Sequence, residues 1–141
     1  MNSHQINGRT GEYLSLFDIS NNGYNCFLVN ENLVFDVGMT TSGNLYRVQV
    51  KTASVKKTNT SYTFHIGRRT RKYLGNNRIK NVPSYYDIND FEILALAIIP
   101  LRKVLYIPFH EIYGQKHINL TGKESYPLDN CLQSVIDAEG K

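Results

Sequence analysis

Glu12, Asp36, Gln49 and Lys51 are the residues of this 141-residue chain whose types suit chemistry on a phosphate. Successive side chains along a strand alternate between faces. In Leu45–Thr52 this puts Tyr46, Val48 and Val50 on one side and Arg47, Gln49 and Lys51 on the other. In Leu33–Val37 it groups Leu33, Phe35 and Val37, with Asp36 opposed. If the two strands form a hairpin that buries its apolar side, Asp36, Gln49 and Lys51 emerge together. A carboxylate, an amide and an ammonium so arranged suit a hard cation and a phosphate. Asp36 is a cation ligand, the Gln49 carbonyl oxygen a weaker one, and the Val50 backbone carbonyl adds another. Lys51 can orient an attacking water or steady the charge that builds on a phosphoryl group. Glu12, from a preceding helix, completes the set directly or through water. Taken singly, Asp36 reads equally as a turn cap and Lys51 as a surface base.

The elements that must position these residues follow from pattern. Arg9–Ile19 reads as a first helix with Leu14, Phe17 and Ile19 on its apolar side, ended by Asn21, Asn22 and Gly23. Tyr24–Val29, Leu33–Val37 and Leu45–Thr52 read as strands, with Gly38–Asn44 as the turn between the last two. Ala53–Ser61 is polar, and Tyr62–Ile66 can form another strand. The basic run Gly67–Tyr73 reads as a loop or short helix, and Asn76–Pro83 as irregular. Phe91–Ile99 is apolar throughout and reads as a central strand. Pro100–Lys103 turns the chain into a strand Val104–Phe109, whose Pro108 marks an edge or a terminus. Asp87 and Asp90 cap a turn. Leu128–Ala138 closes the chain as a helix with Leu132, Val135 and Ile136 on one side. This order predicts one α/β domain over residues 1–141, built on a mixed sheet.

Charge points to a partner. Between Val37 and Tyr86 there is no Asp or Glu, but there are ten bases. The rest of the chain holds six bases and all twelve acids, so the net charge of +4 conceals a split of +10 against −6. Tyr46, Tyr62, Phe64, Tyr73, Tyr85 and Tyr86 lie within the basic stretch. Bases mixed with aromatics suit nucleic acid; the plainer alternative is a solvated basic face. Arg68, Arg69, Arg71 and Lys72 are candidates for phosphate contacts, Lys56 and Lys57 for reaching a groove, and Arg47 for touching the backbone. Ser61 and Tyr62 are candidates for lining the same side. His65 has no second His or Cys at ligand spacing. Two cysteines, Cys26 and Cys131, make neither a disulfide scaffold nor a zinc knuckle. No apolar run approaches the roughly 18 residues that span a bilayer, and the expectation is a soluble, cytoplasmic protein.

Gly8-x-x-Gly11-Glu12-Tyr13, Gly23-Tyr24-Asn25, Phe35-Asp36-Val37 and Tyr46-Arg47-Val48-Gln49-Val50-Lys51-Thr52 together resemble the PD-(D/E)xK nuclease superfamily. Within it, the resemblance is to small bacterial and phage proteins that include a cyanobacterial intron-encoded homing endonuclease. Asp90-Phe91 and Val104-Leu105-Tyr106-Ile107-Pro108 extend it, in order, over roughly residues 8 to 110. The resemblance implies a mixed β-sheet flanked by helices and cleavage of double-stranded DNA with Mg²⁺ or Mn²⁺. It assigns Asp36 as the metal-ligand aspartate, Gln49 to the (D/E) position, Lys51 as the lysine and Glu12 as the acid on the first helix. Two positions depart from the pattern. Phe35 stands where proline is common, and Gln49 replaces a carboxylate, which removes a negative charge from the cation site. Some active members carry this glutamine. The expected function is site-specific cleavage of the homing type. A Holliday-junction resolvase or structure-selective repair nuclease, and a catalytically inactive DNA-binding protein, are the alternatives. A small domain covers a short piece of duplex and two strands need two sites, so a homodimer or homotetramer is expected.

Overall fold

Ile93–Ile98 is buried at every residue, which only a strand covered on both faces can be. In the computed structural model it lies next to the edge of a five-stranded sheet. The structure describes residues 3–30, 32–55 and 61–140, and the side chains of residues 3–5, 54–55, 68–72 and 81–83 lie outside the description. Helix α1 (Ser3–Asn21) is followed by β1 (Asn25–Leu28), β2 (Val37–Thr41) and β3 (Asn44–Thr52). Next come β4 (Ser54–Val55), β5 (Tyr62–His65), β6 (Arg68–Gly75) and β7 (Arg78–Ser84). Strand β8 (Ile93–Ile98) leads through a 3₁₀ turn at Ile99–Leu101 into β9 (Lys103–Pro108), α2 (Phe109–Ile112), β10 (His117–Leu120) and α3 (Leu128–Ala138).

The main sheet runs β1-β2-β3-β8-β9. It is mixed as expected: β3 and β8 are parallel, and the other neighbours antiparallel. Val48 and Val50 of β3 and Ile93, Ala95 and Ala97 of β8 pack with Ile19 of α1 and with Leu128, Cys131, Leu132 and Val135 of α3. Leu94, Leu96 and Ile98 face the other way. There they meet Phe64, Ile118 and Leu120 of a smaller sheet, β10-β5-β4, and the aromatic pair Phe91 and Phe109. Helix α1 comes close to the sheet at Gly11, where a Cβ would stand 2.2 Å from Thr52 Oγ1. Near its other end, Tyr106 OH donates to Asp18 Oδ2 at 2.6 Å. These two contacts fix the helix over β3, β8 and β9. Among the described residues no helix is long and apolar enough to cross a membrane.

Several sequence expectations need correction. The strand expected at Leu33–Val37 begins at Val37, and the expected turn Gly38–Asn44 is mostly strand. Val34 and Phe35 turn into the second core instead of pairing, which removes them from the alternation. The real turn is Ser42-Gly43, both at positive φ (53° and 77°), the two-residue hairpin geometry that follows the strand twist. The face expected to be solvated is in fact roofed by the second core. Most of the basic run Gly67–Tyr73 and of the stretch Asn76–Pro83 is strand: they form the antiparallel ribbon β6–β7, turned at Asn76-Asn77 and apart from both sheets. Its sequence alternates no apolar face. Strand β10 and the short α2 were not foreseen. The closing helix Leu128–Ala138 lies where expected, and the strand expected at Val104–Phe109 is β9, which ends at Pro108 because Phe109 opens α2.

Candidate active site

The site forms where β2 stops short and β3 continues. Pairing between them begins at Val37 opposite Val48, so the last residues of β3 extend past β2. Asp36, the residue before β2, fills this notch. Its backbone N–H donates to Val48 O at 2.9 Å, and its Oδ2 accepts the Val50 N–H at 2.9 Å. The carboxylate thus takes a β3 amide that a strand partner would otherwise take, and two hydrogen bonds orient it.

Glu12 follows Gly11 on α1, and the close approach there brings its carboxyl to the Asp36 side chain as a hydrogen-bond partner. Burial pushes the Asp36 carboxyl above the usual carboxylate range. The Val50 N–H, Glu12 and the Lys51 ammonium pull the other way without cancelling it. Two acids that face each other in a partly buried notch favour a shared proton or a cation between them. Gln49 extends the set: it lies next to the Asp36 position in the ladder, is only 8% exposed, and its Nε2 donates to Val50 O at 3.4 Å. No group of three or more His, Cys, Asp or Glu side chains is gathered among the described residues. The other oxygen donors beside the two carboxyls are the Gln49 side-chain amide and the Val50 backbone carbonyl. This oxygen-donor set fits a hard divalent cation.

Lys51, two residues along β3, carries the ammonium. Its Nζ donates to Tyr86 OH at 2.8 Å and to Gly67 O at 3.4 Å, and stands 5.0 Å from the Tyr86 ring centre. In the sequence Tyr86 stands only among the aromatics of the basic stretch. No local spacing can show a partner 35 residues away.

The other expected residues are spread more widely. Arg47 is committed to Glu92 across the β3–β8 edge, through Nη2 and through Nε to Oε2 at 3.0 Å, while its backbone N–H donates to Oε1 at 2.9 Å. Glu92 holds that guanidinium's proton even more firmly than usual. Ser61 and Tyr62 are half-buried at the start of β5, where Tyr62 joins the second core. The backbones of Arg68, Arg69, Arg71 and Lys72 lie along β6. Lys56 and Lys57 fall outside the described residues. His65 and His117, far apart in sequence, meet across β5 and β10 with ring centres 4.8 Å apart.

Residues 1–126 match the family model described as PD-(D/E)XK endonuclease. The chain belongs to the PD-(D/E)XK endonuclease family. A solved structure, that of a bacterial homing endonuclease, I-Ssp6803I, superposes with a TM-score of 0.74 at 19% identity, over 99% of this chain and 98% of that one. The search of curated proteins gave no match. A PD-(D/E)XK endonuclease is a DNA-cleaving hydrolase, and enzymes of this family generally work with divalent metal ions. In this PD-(D/E)XK chain the expected mixed sheet flanked by helices is present. The acid before β2, the glutamine and lysine of β3 and the acid of α1 meet around one notch of it.

Proposed function

We propose that this chain is a site-specific DNA endonuclease of the homing type, acting with Mg²⁺ or Mn²⁺ held by Glu12, Asp36, Gln49 and the Val50 carbonyl. The observation that carries this reading is the meeting of the Glu12 and Asp36 carboxyls beside the Lys51 ammonium. When bound, the cation supplies charge neutralisation at the scissile phosphate and a more acidic water. The protein residues do the positioning. The Val50 N–H fixes the Asp36 carboxylate, the close packing at Gly11 fixes Glu12, and Lys51 holds a positive charge where a phosphate would stand. The fold shared with a bacterial homing endonuclease supports the site-specific reading.

The ribbon β6–β7 supports a double-stranded DNA partner. Arg68, Arg69, Arg71, Lys72, Arg78 and Lys80 lie on it with no acid between them, and Tyr73, Leu74 and Ile79 are exposed near its tip. A two-stranded ribbon is narrow enough for the major groove, about 12 Å wide. Cutting two strands at one site needs two copies of the notch, so the working form is a homodimer or homotetramer.

A cleavage assay on a plasmid library, with Mg²⁺, Mn²⁺ or Ca²⁺, tests this reading. The expected result is cutting at one defined sequence with Mg²⁺ or Mn²⁺. Lys51→Ala should lower the rate by about 10²–10³-fold or more while leaving binding in Ca²⁺ intact. Cutting confined to four-way junctions would turn the reading toward a resolvase. Binding without cutting under any of these ions would leave a DNA-binding protein.

A further inference from the structure

Two residues whose atoms accept from the Lys51 ammonium, Gly67 and Tyr86, flank the basic ribbon. Gly67 directly precedes β6, and Tyr86 lies two residues past the end of β7. The ribbon's base is closed by the pairing of Arg68 with Ser84. A lysine side chain has four rotatable bonds and large rotamer freedom, so a catalytic ammonium has to be held by something. Tyr86 is suited to hold it. The residue is only 8% exposed, and its ring stands edge-on to Phe91 at 5.0 Å and to Phe109 at 6.4 Å. These contacts fix the ring, so its hydroxyl oxygen is a stationary acceptor for Nζ at 2.8 Å.

We propose that Tyr86 is the positioning residue of Lys51 and that, with Gly67, it ties the place of the catalytic ammonium to the root of the DNA-reading ribbon. Seating the ribbon on DNA then sets the lysine, so reading and cutting are linked through one side chain. The inference rests on the nuclease reading of Lys51.

Tyr86→Phe removes the hydroxyl and keeps the ring in its cluster, so the fold should be kept and the melting temperature should fall by a few degrees at most. Single-turnover cleavage of a duplex that wild type cuts, in Mg²⁺, should slow by about 10- to 100-fold, the scale of a misplaced catalytic group. The Kd for the same duplex in Ca²⁺ should not change, which separates positioning from binding. In a Lys51→Ala background, Tyr86→Phe should slow cleavage no further. A readout free of cleavage is the reductive methylation of Lys51, followed by peptide mapping, which should be faster in Tyr86→Phe than in wild type. If wild type cuts and Tyr86→Phe cuts as fast, with Lys51 methylated no faster, the positioning role is overturned and the nuclease reading stands. If wild type cuts no DNA with any of these ions, the nuclease reading fails and takes the role with it.

Discussion

Gln49 is the residue at which this site departs from an all-carboxylate set, and its burial gives the departure a measurable consequence. A glutamate there would add a third negative charge beside Glu12 and Asp36 in a place largely closed to water. Gln49→Glu should therefore lower the melting temperature in EDTA, because like charges would be crowded without a counter-ion. It should also lower the Mg²⁺ concentration at which cleavage is half-maximal, since the cation would meet more negative charge. Thermal melts with and without Mg²⁺, beside a metal titration of cleavage, check both signs. Arg47 makes the opposite point. It lies on the strand face of Gln49 and Lys51, and alternation alone makes it a phosphate ligand, yet its guanidinium is engaged by Glu92. Arg47→Ala should lower stability by up to about 1 kcal/mol, the scale of a partly exposed pair, and leave DNA affinity close to wild type. Denaturant melts and a binding titration separate the two effects.

At the scale of elements, the site depends on how closely α1 can approach β3. Gly11 permits the approach, and Glu12 is placed by it. In Gly11→Ala the new Cβ would stand 2.2 Å from Thr52 Oγ1, so the helix or the threonine has to shift. The expected cost is about 1–3 kcal/mol of stability, together with slower cleavage as the Glu12 carboxyl is displaced. Because the nearest obstacle is a side-chain oxygen, Gly11→Ala combined with Thr52→Ala should recover part of both losses. A thermal melt and a rate for each of the two variants test this. The second element on which the site depends is β2, which starts at Val37 and so leaves the Val50 N–H to the Asp36 carboxylate.

At the scale of the whole molecule, charge is segregated along the chain and therefore among its elements. The acid-free stretch includes β2, β3, β5 and the whole ribbon, while all twelve acids lie before β2 or after Tyr86. Binding through the ribbon should release counter-ions in proportion to the phosphates it neutralises. Replacing Arg68, Arg69, Arg71 and Lys72 with Gln should reduce the slope of log affinity against log salt by about 3–4, at roughly 0.9 per phosphate contact on duplex DNA. Binding titrations at several salt concentrations, in Ca²⁺ so that the DNA stays whole, measure that slope. An unchanged slope would mean that the duplex lies elsewhere on the protein.

Types and order were legible in the sequence; meetings were not. The apolar run around Ile93–Ile98, the helical spacing of Leu128–Ala138 and the acid-free basic stretch are local properties, and each reads off neighbouring residues. The segments around Glu12, Asp36 and Gln49-Val50-Lys51 carried the likeness to the nuclease superfamily for the same reason. Alternation grouped Asp36 with Gln49 and Lys51, but it took the strand to begin at Leu33 and the face to be solvated, because periodicity carries no information on what packs above a sheet. The ribbon stayed hidden because its residues pair with each other and alternate no apolar side. The sequence grouped Glu12 with Asp36 by chemistry and by resemblance; the tertiary structure put the two in contact, and it alone joined Arg47 to Glu92 and Lys51 to Tyr86. Those pairs lie 24, 45 and 35 residues apart, and their contact depends on the packing of α1, β8 and the ribbon root against β3.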